Sequence, residues 1–232
     1  SNLPLNESFA TYGEYLWAEH ANGRDDADHH GQQQLSQYLA ESRQKQVNMI
    51  RFDYKQREDM FDSHSYAKGG RILHMLRKYV GDEAFFKSLQ LYLSKHKFTS
   101  VEIHNLRLAF EEVTGEDLNW FFNQWFLSSG HPEVSFRSSY DAENKKIKVT
   151  VEQKQNLEKT PLYKLPLDVD IYAEGKVRRE RIVVEKKKQD FIFESAAEPD
   201  LVNIDAEKML LCSKKDKKNV KQMSFQYANA PL

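Results

Sequence analysis

Eight histidines, one cysteine and 35 acidic residues are the groups from which a metal site or an acid–base pair would have to be built. The densest cluster is Asp25, Asp26, Asp28, His29 and His30. Two histidines that share a metal on a helix stand three or four residues apart, so that both face one side. His29 and His30 are adjacent and point in different directions. The cluster therefore reads as a solvated helix start, where acids complement the positive end of the helix dipole. His20, His64, His74, His96, His104 and His131 are scattered without ligand spacing and are expected at the surface or half-buried. Cys212 has no second cysteine to pair with and reads as structural. The sequence contains no H-E-x-x-H, no phosphate-binding loop, no G-x-S-x-G and no dinucleotide fingerprint. Taken alone, Glu7 reads as a solvated first-turn acid and Tyr66 as an ordinary half-buried tyrosine.

The elements that would carry such groups change character near residue 130. Before it, apolar residues recur at helical spacing. Phe9, Tyr12 and Leu16 follow Pro4, a good first-turn residue, and predict one helix. A polar helix is expected from about Asp26 to Gln46, with Leu35, Tyr38 and Leu39 as its apolar stripe. An irregular stretch, Val47 to Ser65, comes next. Further helices are predicted around Ile72, Leu73, Leu76, Tyr79 and Val80, ended by Gly81, and around Phe85, Leu89, Tyr92 and Leu93. Thr99 and Glu102 suggest a capping box for a helix along Ile103, Leu106, Phe110 and Val113. A last helix runs along Leu118, Phe121, Phe122, Trp125 and Phe126 and is stopped by Gly130-His131-Pro132.

From Glu133 the period becomes two. Ile147, Val149 and Val151 alternate with polar residues, as do Leu165, Leu167, Val169 and Ile171, and then Phe191 and Phe193. Turns fall at Asp141 to Asn144 and at Glu174-Gly175. This spacing predicts an antiparallel β-sandwich of roughly seven strands over residues 131–213. The Lys-rich segment 214–232 reads as a solvated linker towards a further domain.

A length of 232 residues suits two modest domains, and 40% hydrophobic content is enough to build a core in each. The net charge of −1 offers no electrostatic case for nucleic acid or an anionic membrane. No apolar run reaches the length of a membrane span. Compartment and oligomeric state are not encoded in any of these features.

Four motifs, in order, carry a family resemblance. Leu5-Asn6-Glu7-Ser8-Phe9-Ala10-Thr11-Tyr12-Gly13-Glu14-Tyr15-Leu16 is similar to the L-N-E-G-F-A-x-Y-x-E-Y-L helix of the aminopeptidase N family of zinc metallopeptidases (gluzincins). Tyr66-Ala67-Lys68-Gly69 resembles that family's Y-x-K-G, and Arg71 to Leu76 its following helix. Gly81-Asp82-Glu83-Ala84-Phe85 resembles its G-D-E-x-F turn. Leu118 to Phe126, then Gly130-His131-Pro132, resembles its last helix and exit. The resemblance covers residues 3–132 and extends, more weakly, over the strands. Where the family usually has Trp and Gly, this sequence has Pro4 and Ser8.

The resemblance implies an α+β architecture of two domains. Residues 1–130 would be the α-helical C-terminal half of a thermolysin-like catalytic domain, followed by the antiparallel β-sandwich as a structural spacer. It implies that Glu7 is a zinc ligand and that Tyr66 stabilises the transition state. Glu14 lies two turns further along the helix, where exposure is expected. The family's H-E-x-x-H and G-x-M-E-N motifs are not among the 232 residues and are expected upstream. The expected activity is therefore zinc-dependent removal of N-terminal residues from peptides by a longer protein, with this chain alone inactive. A catalytically dead scaffold of the same family is the alternative. Such relatives tend to lose the ligand Glu and the Tyr, and both positions are filled here. A sugar- or protein-binding role for the sandwich has little support, since no aromatic platform or calcium-type acid cluster is evident.

Overall fold

The computed structural model describes residues 2–214. The expected linker beyond Lys214 lies outside the described residues. The chain divides into two compact units, Ser1–Gly130 and His131–Leu232.

The first unit is helical. Its elements are α1 (Pro4–Asn22), α2 (Arg24–Ser42), a 3-10 turn (Arg57–Met60), a π-helical turn (His64–Lys68), α3 (Gly69–Val80), α4 (Asp82–His96), α5 (Ile103–Thr114) and α6 (Asn119–Trp125). At its centre is α3, buried from Gly69 to Arg77, with α1 and α2 packed on it and α4 packed on α5. A helix buried all round is normally apolar all round. Here Arg71, His74 and Arg77 are buried with the leucines, so α3 also carries polar cargo that must be paired. Arg77 is satisfied by Glu19 (2.6 Å) and Asp82 (2.8 Å).

Several sequence expectations shift here. The expected helix to Gln46 ends at Ser42, and its buried stripe is Ala27, Gly31, Gln34, Tyr38 and Ser42, while Leu35 and Leu39 are only half-buried. At Gly31 the face passes close to α3: a Cβ there would stand 2.7 Å from the Arg71 guanidinium. The cap of α5 is Glu102, which pairs reciprocally with Asn105, whereas Thr99 bonds back to the carbonyl of His96. Leu93 is 64% exposed; α4 buries Phe85, Ser88 and Tyr92 instead. His64 and His74, expected near the surface, are buried, as is His131.

Among its described residues the second unit has seven strands in two sheets, ordered β5-β2-β1-β7 and β4-β3-β6. They are β1 (Glu133–Asp141), β2 (Lys146–Gln153), β3 (Leu165–Ala173), β4 (Lys176–Val184), β5 (Lys188–Glu194), β6 (Leu201–Ile204) and β7 (Ser213–Lys214). Ile147, Val149 and Val151, and Leu165, Leu167, Val169 and Ile171, form buried faces as their alternation predicts. The β3–β4 hairpin turns on Glu174 and Gly175, both at positive φ, the twist that a two-residue hairpin loop requires. The strands pair antiparallel as expected, and the two-residue β7 returns parallel to β1. Cys212, just before β7, is buried.

Candidate active site

Glu7 sits in the first turn of α1 and is half-buried. Tyr66 lies in the middle of the π-helical turn, not ahead of a helix as the sequence suggests. That turn is closed by a bond of i to i−5 type, from the Lys68 N–H to the Ser63 carbonyl (2.8 Å). Such insertions are frequent at functional sites because they rotate one side chain out of register with its neighbours. The consequence is visible in the burial pattern. Every residue from Ser63 to Arg77 is buried except Tyr66.

The phenol that emerges meets Glu7. The Glu7 carboxylate lies near enough to act on it: the Tyr66 pKa is raised by loss of hydration and then by its interaction with, and the charge of, Glu7. The two residues singled out from the sequence thus stand together at a partly exposed point. Glu14 stands apart from them, exposed and 3.4 Å from His30. Among the described residues, the His29 ring bonds to Gln33 in its own helix, at 3.1 Å, and joins no cluster of metal-binding donors.

The turn beneath Tyr66 is held by a charged network that the sequence did not disclose. Asp62 caps it, accepting the N–H groups of His64 (3.1 Å) and Ser65 (3.0 Å) on Oδ1. Arg51 grips both carboxylate oxygens of Asp62 in a fork, at 2.8 and 2.9 Å, and Lys45 adds a third contact at 2.6 Å. Burial opposes ionisation of Asp62, but the Arg51 and Lys45 bonds prevail and hold its carboxyl down to about 2. Glu41, from the last turn of α2, takes the Ser63 N–H (2.9 Å) and the His64 Nδ1 proton (2.8 Å). An Asp three residues ahead of Ser65 is a recognisable capping signal. Arg51, on an irregular segment, left no sequence signal.

Glu41, Asp62 and His64 place three potential ligand atoms within 4.8 Å of one another. Their chemistry is nevertheless that of a cap. Both Asp62 oxygens are already occupied by guanidinium and ammonium, and a divalent cation there would face Arg51 and Lys45 at close range. Among the described residues this is the sole group of three or more such donors, and Glu7 is not in it.

Just beyond Tyr66, the Lys68 ammonium is wholly buried, donates to the Gly130 carbonyl at 2.9 Å and lies over the Tyr38 ring. Gly69 then lets α3 pass close to α1, since a Cβ there would overlap the Ser8 side chain.

Residues 1–125 match the family described as "Peptidase family M1 domain". The chain belongs to this family. A relative named "Probable aminopeptidase 1", from Sulfurisphaera tokodaii, is 28% identical over 211 residues, covering 88% of this chain and 26% of that protein. "Aminopeptidase N" of Streptomyces lividans is 33% identical over 154 residues, covering 58% of this chain and 17% of the relative. Among solved structures, Legionella pneumophila aminopeptidase A, in complex with aspartic acid, superposes with a TM-score of 0.74 over 93% of this chain and 24% of its own, at 18% identity. That likeness concerns the fold, and it extends over both units of this peptidase-family chain. The chain therefore spans about a quarter or less of the length of these relatives. Among its described residues no helix is long and apolar enough to cross a membrane.

Proposed function

We propose that this chain is part of a zinc-dependent aminopeptidase that hydrolyses N-terminal residues from peptides, with Glu7 as one zinc ligand and Tyr66 as the donor to the developing oxyanion. Residues 1–130 are read as the helical part of its catalytic domain and residues 131–213 as an adjoining β-sandwich. The observation that carries the reading is the meeting of Glu7 and Tyr66, from distant elements, at the point where the buried run Ser63–Arg77 opens. Membership of a family whose relatives are named aminopeptidases supplies the reaction class.

A catalytic zinc takes three protein ligands and keeps one position open. Glu7 is a partly exposed carboxylate and suits one of the three, but the described residues set no other ligands beside it. The others are assigned to residues outside these 232, and the chain by itself is proposed to be inactive. When bound, zinc supplies Lewis-acid polarisation and activates water near neutral pH. The contribution of this chain is the remainder. Glu7 offers its carboxylate from the first turn of a helix anchored by Pro4 and Ser8, both buried. Tyr66 offers a phenol, which is protonated near neutral pH, as a donor beside Glu7. As the peptide carbonyl becomes tetrahedral its oxygen gains charge, and a fixed donor stabilises that state more than the ground state.

The test uses the full-length protein, measuring zinc content and hydrolysis of fluorogenic aminoacyl amides. Glu7→Ala is expected to lose zinc and activity together. Tyr66→Phe is expected to keep zinc while kcat falls roughly 10²- to 10³-fold. A full-length protein that binds no zinc and cleaves no substrate would favour the scaffold reading instead.

A further inference from the structure

Ser65, the residue before Tyr66, is fully buried, and each of its three polar groups is held by a different residue. Its N–H donates to Asp62 Oδ1 (3.0 Å), its Oγ accepts from Arg51 Nη2 (3.2 Å), and its carbonyl accepts from Ser8 Oγ (2.8 Å). The last of these crosses from another element. Ser8 directly follows Glu7 in α1, so a single hydrogen bond links the backbone of the Tyr66 turn to the residue next to Glu7. Ser8 is itself 1% exposed, lying in the space left by the missing side chain of Gly69.

We propose that the Ser8–Ser65 bond is a positioning device. It fixes where the Tyr66 hydroxyl stands relative to the Glu7 carboxylate, and Ser8 and Ser65 are positioning residues for the phenol. The inference rests on the reading of Tyr66 given above. A tyrosine hydroxyl lies at the end of a long lever, so a small rocking of the backbone becomes a large displacement at its tip. Asp62, Arg51 and Glu41 hold the turn from within residues 41–65. Among the described residues, the Ser8 bond is the hydrogen bond that ties that turn to the helix bearing Glu7. A donor stabilises an oxyanion only from about 2.7–3.1 Å, and an ångström of misplacement costs rate far more than it costs substrate binding.

Ser8→Ala deletes this bond with the least change of volume, and Ser8→Gly provides a second variant should the first not fold. In the chain of residues 1–232, either is expected to speed hydrogen exchange of the Ser65–Lys68 amides roughly five- to tenfold. In the full-length protein, zinc content is expected to stay intact, kcat to fall about tenfold and KM to stay within twofold. In a Tyr66→Phe background the same substitution is expected to cost nothing further in kcat, because there is no hydroxyl left to position. A merely structural serine would cost the same factor in both backgrounds, and that result overturns the proposal, as does unchanged exchange. Full turnover in Ser8→Ala beside an impaired Tyr66→Phe overturns the tie alone. Unchanged turnover in Tyr66→Phe sinks the reading of Tyr66 and the tie with it.

Discussion

Lys68 shows how much one residue can cost in order to hold a site together. Its ammonium is wholly buried, with the Gly130 carbonyl as its hydrogen-bond acceptor, and burial, aided by the charge of Arg51, pushes its pKa down to about 7. In the unfolded chain the same lysine stays protonated to about pH 10.4. Between those values the unfolded state binds more protons, so this residue makes stability rise as pH rises from 7 towards 10. The expected gain from pH 7 to 9 is on the order of 2 kcal/mol. Lys68→Met is expected to remove that slope, seen as a smaller change in Tm across this range than in the wild type; parallel profiles would contradict the argument. Glu7 and Tyr66 were legible as individual residues only through the four ordered motifs, since a lone Glu and a lone Tyr say nothing. Their contact was not legible, because it depends on a π-helical insertion that no periodicity reports.

At the scale of elements, the π-helical turn depends on the Arg51–Asp62 pair more than on helix propensity. Both side chains are under one-tenth exposed. Breaking a buried, forked pair leaves a charge without its partner, at a typical cost of 3–5 kcal/mol. Asp62→Asn keeps an oxygen for the His64 and Ser65 N–H groups but no longer neutralises Arg51. It is expected to destabilise the helical unit by about 3 kcal/mol, measured by denaturant unfolding. The wild-type contribution is present above the ordinary aspartate range and disappears as pH falls through about 2, since the folded pKa is the depressed one. The mutant loss should therefore shrink in acid. The existence of α1 to α6 was readable from apolar spacing, but the buried faces of α1 and α2 were not. In α1 the buried side is Pro4, Ser8, Thr11, Tyr12 and Tyr15, with Phe9 and Leu16 only half-buried. Close passage of α3, permitted by Gly31, Gly69 and Gly70, selects small and hydroxyl-bearing residues there over larger apolar ones. Strands were easier to read, because period two and the Glu174-Gly175 turn specify face and register together. The parallel β7 pairing escaped notice because it is only two residues long.

For the whole molecule, the change of period near residue 130 coincides with the boundary between Ser1–Gly130 and His131–Leu232. Family membership covers the helical unit nearly to its end. The proposed role of Glu7 as a zinc ligand of a longer peptidase, with Tyr66 beside it, is the point on which the functional reading turns. The most direct measurement is anomalous diffraction at the zinc edge from crystals of the full-length protein. The expected result is a zinc peak about 2.0–2.2 Å from a Glu7 carboxylate oxygen, with the Tyr66 hydroxyl on the same side of the ion. Zinc on Glu41, Asp62 and His64, or zinc elsewhere with Glu7 left to solvent, would contradict it.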